Sequence, residues 1–466
     1  MASKLTTYIR LHLKNSFDRI RNEKLKKNML QAVPFWIASI LTGLIAVGYA
    51  KLFLLAENAA IWVFNYNMWL LFVCTPICFI LAWWLVSRLA PYGKGSGIPQ
   101  VMAGIELSGP RTDKIVDRLL SLRIIAVKVV SSLIMALGGG VIGREGPTIQ
   151  IAASVFRVVN GLLPEWWPKV AKRNMIVTGA AAGLAAAFNT PLGGIVFAIE
   201  ELTKTHFSFF KTAIFSSVII AGLTAQAILG PYLYLGYPKV DNTSGYIFFG
   251  VLLVALISGL LGSTMGKLVL LIFRWKARLK TMRSNMIFVT ACGAGLACLI
   301  VIFGTDAMGS GKQVMETVLF TADRHSAWYI PFLRITGSMV SFTTGAAGGI
   351  FAPALAAGAS VGSVVSGWFD LSETNTNLLI LAGMTGFLTG VTRSPFTSAI
   401  LVLEMTNRQT AIFSLILAAM IASLISLLVD KHSLYDHLKV QYIRELEEKE
   451  RIEKENLISM NKIAIP

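Results

Sequence analysis

Three short elements of the chain place glycine and proline where they could shape an ion site: "GSGIP" (95–99), "GREGP" (143–147) and "GIFAP" (349–353). Glycine permits an unusual backbone or a close approach. Proline fits the first turn of a helix, where its missing N–H costs nothing. A helix that starts inside a membrane offers unpaired N–H groups and the positive end of its dipole, which together bind an anion. Three such ends converging would hold a small anion without a lysine or arginine directly on it. That suits transport, because a full opposite charge in low dielectric binds too tightly to let an ion leave. Singly, each element is a common helix start or kink; the trio points to an anion pathway. Glu145 lies inside the second element, and an ionisable residue among glycines and apolar runs is costly and usually functional. Arg144 beside it is expected to shape the potential near the entrance rather than to form an ion pair. The run "IEE" (199–201) adds Glu200 and Glu201, which cannot share one helical face. One of them is expected to be structural, and residue chemistry alone does not choose between them.

The elements that must position these residues are membrane spans. Of 466 residues, 55% are apolar and only 14% are charged, with mean hydropathy +0.65. A soluble chain would carry about a quarter of its residues as Asp, Glu, Lys and Arg. Apolar runs begin near 33, 68, 124, 174, 211, 246, 286, 327, 376 and 411. Several approach the roughly 20 residues that a span needs. Others are cut by glycine and proline, which at membrane depth is tolerated only where backbone is buried in protein or lines a wet cavity. The four cysteines (Cys74, Cys78, Cys292, Cys298) all lie in apolar runs and are expected to be small buried hydrophobes rather than a disulfide framework. The net charge of +17 gathers in short segments, residues 1–30 and Arg274 to Arg283. Such segments beside apolar runs belong on the cytoplasmic side, where they also attract anionic lipid headgroups. A nucleic-acid partner is not expected. No signal-peptide pattern follows the basic start, so residues 1–32 read as an amphipathic cytoplasmic helix. The tail, 438–466, is charged, and its stretch 443–456 is expected to be a solvated helix with i,i+4 ion pairs, too short for a separate regulatory domain.

The chain repeats itself. Gly179, Pro191 and Glu200 are spaced like Gly383, Pro395 and Glu404, and a Gly-x-x-x-Pro element precedes each proline at a similar distance. Two halves, 33–235 and 236–437, suggest a transporter with its site where they meet. Glu404 at the position equivalent to Glu200 favours a structural role for that pair.

Together, "GSGIP", "GREGP" and "GIFAP" resemble, in order, the three signature sequences of the CLC family of chloride channels and chloride/proton exchangers. The resemblance covers residues 33 to 437. It implies an all-α multi-pass fold with two inverted-topology repeats of tilted and half-membrane helices. It also implies a homodimer with one pathway per subunit, in a cell membrane, with both termini cytoplasmic. By resemblance, Ser96 and Tyr435 touch a central anion through their hydroxyls, and the backbone N–H groups of Ile350 and Phe351 complete that site. Glu145 matches the external gating glutamate. Glu201 matches the internal proton-transfer glutamate of exchangers, which channels replace with a non-titrating residue. The implied activity is exchange of chloride for protons, with no cofactor beyond the transported ions; a passive chloride channel of the same fold is the alternative. Related nitrate-preferring members carry proline at the Ser96 position, so chloride is expected here. The short tail resembles that of prokaryotic members, without paired regulatory domains.

Each assignment has a plainer counterpart. Ser96 could cap the helix near Pro99, Tyr435 could sit in an interfacial belt, and Phe351 could be core packing. Other patterns fail. "GSGK" (309–312) lacks the glycine and the Ser/Thr of a phosphate-binding loop. Neither Ser96 nor Ser310 sits in a Gly-x-Ser-Gly sequence of the kind used by intramembrane serine proteases, so an enzyme is not expected, and the five scattered histidines make no metal site.

Overall fold

The computed structural model describes residues 23–109, 113–164, 166–203, 211–230, 233–240, 245–369 and 371–463. Most of the N-terminal segment read as amphipathic lies outside them; its last part belongs to the first helix. Eighteen α-helices are described: α1 (Glu23–Tyr66), α2 (Leu71–Leu89), α3 (Ile98–Glu106), α4 (Asp113–Leu119), α5 (Leu122–Leu137), α6 (Glu145–Gly161), α7 (Lys172–Phe188), α8 (Pro191–Phe197), α9 (Lys211–Leu229), α10 (Ile247–Lys276), α11 (Met282–Phe303), α12 (Lys312–Phe320), α13 (Ile330–Thr343), α14 (Phe351–Trp368), α15 (Glu373–Thr392), α16 (Pro395–Thr406), α17 (Ile412–Val429) and α18 (Leu434–Ile463). There is no strand among the described residues, only two isolated bridges. Among the described residues, eight stretches are long and apolar enough to cross a membrane. The protein is a multi-pass membrane protein.

Helix lengths follow the interruptions in sequence. At 1.5 Å per residue a span of the roughly 30 Å hydrocarbon core takes about 20 residues. The 44 residues of α1 exceed this, whereas α3 (9 residues), α8 (7 residues) and α16 (12 residues) fall well short of it. These short helices start at the Gly-Pro and Thr/Ser-Pro elements, with proline in the first turn.

Two equivalent trios form the centre. α6 begins at the second Gly-x-x-x-Pro element, α7 returns and ends in left-handed Asn189 (φ 57°), and α8 restarts at Pro191. α14 begins at the third element, α15 returns and ends in left-handed Arg393 (φ 65°), and α16 restarts at Pro395. Close packing inside the second trio rests on glycine: a Cβ on Gly358 or Gly362 would overlap the backbone of α15, and one on Gly383 the backbone of α14. Every side chain of α15 from Thr376 to Thr392 is buried. The outer helices instead present apolar side chains outward. Thus Cys298 is exposed on α11, contrary to the expected burial, because lipid is an apolar surrounding in its own right.

The two trios are tied by reciprocal carboxylates. Glu404 accepts from the Leu192 and Gly193 N–H groups at the start of α8 (3.0 and 2.9 Å). Glu200 accepts from the Phe396 and Thr397 N–H groups at the start of α16 (3.1 and 2.6 Å) and from the Thr397 hydroxyl (2.6 Å). Each carboxylate satisfies the orphan donors and positive dipole end of the other trio's helix. The tail is docked as well as charged. Leu446 is fully buried, Lys439 pairs with Glu106 at 3.0 Å, and Arg118 with Glu453 at 2.7 Å, while the expected i,i+4 pairs occur further out, such as Lys454 with Glu450 at 2.8 Å.

Because hydrogen bonds to a charged acceptor are each worth about 1.5–3 kcal/mol, Glu404→Ala and Glu200→Ala are expected to destabilise the fold by roughly 2–4 kcal/mol apiece. Thermal unfolding in detergent measures this, and an unchanged midpoint for either would remove it from the scaffold.

Candidate functional site

Backbone hydrogen bonds stitch the three glycine elements together. Gly95 N–H donates to the Ala346 carbonyl (2.8 Å) and Gly348 N–H to the Gly95 carbonyl (3.1 Å). Gly143 and Gly349 exchange both bonds, at 2.8 and 2.7 Å. The stitching needs glycine at Gly97, the residue before α3: its φ is 100°, and a Cβ there would lie 2.7 Å from Gln150 and 3.0 Å from Lys128 Nζ. The starts of α3, α6 and α14 are thereby held together, with their first N–H groups free of intrahelical partners.

Ser96 is buried between Gly95 and Gly97, and it does not cap α3, since that position belongs to Gly97 and no side-chain cap bond forms. Tyr435, in the first turn of α18, is also buried, which separates it from an interfacial belt. Its ring stacks on Phe351 with centroids 6.3 Å apart and planes within 9°. The Ser96 and Tyr435 hydroxyls face each other without a hydrogen bond of regular geometry. Buried hydroxyls without a protein partner are uncommon, and here two lie close together. Ile350 caps α14 and Phe351 is its first residue, so their N–H groups lie at its positive end. Phe351 also packs, its ring 6.4 Å from Phe188.

Glu145 is the first residue of α6 and is 1% exposed. One carboxylate oxygen accepts from Tyr234 Oη at 3.2 Å, and the other has no hydrogen-bond partner among the described residues. Arg144 lines a cavity of about 60 Å³ beside Glu145, with Glu57, Tyr234, Ser310 and Lys312. Glu57, from α1, accepts from Ser310 N–H at 2.6 Å, so the "GSGK" segment closes one side of this space.

Glu201 lies in a π-helical turn, Ala198–Thr203, that continues α8. The wider turn sends Glu200 to the start of α16 and leaves Glu201 4% exposed, accepting from the Ser394 hydroxyl. Glu201 borders a cavity of about 280 Å³ lined also by Glu106, Arg173 and Lys439. A different cavity, about 320 Å³, reaches Ser96 past Lys94, Lys276 and Gln441. Just before Tyr435, Asp430 bonds His437 at 3.2 Å and the His432 N–H at 3.0 Å. Partial burial raises its pKa, but these donors outweigh it and hold the carboxyl below its usual range.

Lys128 escaped the sequence reading, although a lysine inside "IIAVKVVSSLIMAL" is itself an intramembrane ionisable residue. It is fully buried, and its ammonium donates to the Gly93 and Gly95 carbonyls (3.1 and 3.0 Å) and to Gln150 Oε1 (2.6 Å). The Lys128 side chain thus braces the Ser96 loop from behind. Tyr234 and Glu57 were also missed, because their partners come from distant segments.

A family model described as voltage gated chloride channel matches residues 77–427, well over half of the chain. The chain belongs to this family, the CLC family. Among CLC relatives, the H(+)/Cl(-) exchange transporter ClcA of Cronobacter sakazakii is 29% identical over 424 residues, covering 86% of this chain and 87% of that one. The protein of the same name from Citrobacter koseri is 29% identical over 419 residues, covering 86% of each. Two solved CLC structures share the fold. A slow cyanobacterial Cl-/H+ antiporter has TM-score 0.78 at 22% identity, over 89% of this chain and 98% of that one. A CLC-type fluoride/proton antiporter has TM-score 0.74 at 21% identity, with the same coverage.

In this CLC protein, Lys128→Met leaves the Gly93 carbonyl and Gln150 Oε1 without their donor and the Gly95 carbonyl with Gly348 N–H alone. It is expected to destabilise the fold by roughly 3 kcal/mol, seen as a lower thermal midpoint; an unchanged midpoint would mean that the Ser96 loop holds its shape without the ammonium.

Proposed function

We propose that this protein is a secondary transporter that exchanges chloride for protons, with Glu145 as the gate and Glu201 as the internal proton-transfer residue. The observation that carries the reading is the position of Glu145: a buried carboxylate at the start of α6, beside the starts of α3 and α14. Ionised, it takes the place of an anion and closes the path. Protonated, it loses its attraction to the dipole ends, swings out and admits chloride. One group therefore excludes chloride when charged and carries a proton when neutral. The separate cavities at Ser96 and Glu201 support distinct cytoplasmic routes for the two ions. Chloride enters past Lys94 and Lys276 to Ser96, Tyr435 and the N–H groups of Ile350 and Phe351. Protons enter at Glu201 and reach Glu145 through transient water. The exchange named for the relatives fits this arrangement, which requires no cofactor and no covalent chemistry. We place the protein in a cell membrane as a homodimer with one pathway per subunit, surrounded by lipid, with both termini cytoplasmic.

A chloride gradient imposed on proteoliposomes, with external pH recorded, tests the reading. Uphill proton movement is expected; chloride flux without it would make the protein a passive channel. Glu201→Gln is expected to abolish proton movement while chloride flux stays at a substantial fraction of normal, and persistent proton pumping would remove Glu201 from the route. Glu145→Gln should pass chloride with no proton coupling and a flat pH dependence.

Tyr435→Ala removes one donor to the anion and is expected to weaken chloride binding about tenfold. Calorimetry measures this, and unchanged affinity would assign Tyr435 to packing on Phe351.

A further inference from the structure

The proposed gate has one hydrogen-bond donor whose side chain belongs to none of the signature elements. Tyr234 lies in the segment 233–240 between α9 and α10, and its hydroxyl donates to Glu145 Oε1 at 3.2 Å. The ring is fixed on three sides. Phe188 meets it edge to face at 5.0 Å, Lys312 Nζ stands 5.3 Å from its centroid, and the neighbouring Leu235 N–H is bonded to the Met405 carbonyl at 3.2 Å. Tyr234 is 3% exposed and borders the small cavity between Glu145 and the outer residues Glu57, Ser310 and Lys312.

We infer that Tyr234 is a positioning residue of the gate: its phenol latches the ionised Glu145 carboxylate in the anion position and so sets the pH at which the path opens. The inference rests on Glu145 being the gate. A phenol donates to a carboxylate more strongly than to the neutral acid, so the bond favours the closed, charged form. The cation over the ring strengthens the donor by drawing electron density toward it. Charged or titratable groups facing Glu145 are Arg144 at the start of its own helix, Tyr49 and Glu57 from α1, Lys312 from α12, Tyr234, and Tyr435 from α18. Of these, Tyr234 is bonded to the carboxylate. Opening adds a proton from outer water to Glu145 and breaks this bond; the phenol keeps its own proton.

The test is Tyr234→Phe, which keeps the ring on Phe188 and removes the O–H. In proteoliposomes, the midpoint of pH-dependent chloride flux is expected to rise by roughly one pH unit, with proton coupling retained. In a Glu145→Gln background, where flux no longer depends on pH, adding Tyr234→Phe is expected to change nothing. An unmoved midpoint, or an equal effect of Tyr234→Phe on flux in both backgrounds, would overturn the latch and leave Tyr234 as packing. If Tyr234→Phe fails to give monodisperse protein, Lys312→Met, which weakens the donor and leaves the phenol in place, should raise the midpoint by a smaller amount; no rise would overturn the latch. The gate reading fails separately, through a Glu145→Gln protein that still responds to pH.

Discussion

Backbone N–H and C=O groups cannot be left unpaired where no water reaches, and this constraint governs the centre of the protein. Helices that stop at membrane depth expose such groups at their ends. Here the chain pairs most of them through the glycine segments, which lie side by side and exchange hydrogen bonds between Gly95 and the 346–348 stretch and between Gly143 and Gly349. The groups left over are the first N–H donors of α3, α6 and α14, gathered in one place. The same economy that keeps the broken helices stable therefore creates a surplus of donors suited to an anion.

Carboxylates meet helix starts in two different ways in this fold. Glu200 and Glu404 each take two backbone N–H groups of a helix in the other trio, and several bonds to a charged acceptor make a permanent tie. Glu145 stands at the start of its own helix with a single side-chain donor, Tyr234. The number of donors separates the two cases: Glu200 and Glu404 are each fastened by several bonds, whereas Glu145 accepts from one side chain among the described residues.

Much of this was legible in the sequence because it depends on residue types with narrow uses. Glycine before proline announced the broken helices, and the matched spacing of Pro191 with Pro395 and of Glu200 with Glu404 announced the paired trios. The structural role expected of the Glu200 and Glu404 pair agrees with their reciprocal bonds. What could not be read is whatever depends on distant segments meeting. Tyr234 is an unremarkable tyrosine until it lies beside Glu145, and Glu57 is one acid in a long helix until Ser310 reaches it. Spacing alone could not show that the chain widens into a π-helical turn at Ala198, which parts the two adjacent glutamates. The tail was read as solvated because its charges dominate its composition, yet a few apolar side chains such as Leu446 are enough to dock it.

The crossed bonds of Glu200 and Glu404 also bear on how such a protein can arise. A contact in which each partner gives one acid and receives at one helix start is self-complementary, like the interface of a two-fold symmetric dimer. For a chain of half this length, one glutamate would close both contacts at once, since each copy would supply what the other lacks. Joining two such copies end to end would preserve an interface already in working order. After fusion the two acids become separate positions, free to drift apart in sequence as long as each still finds the opposite helix.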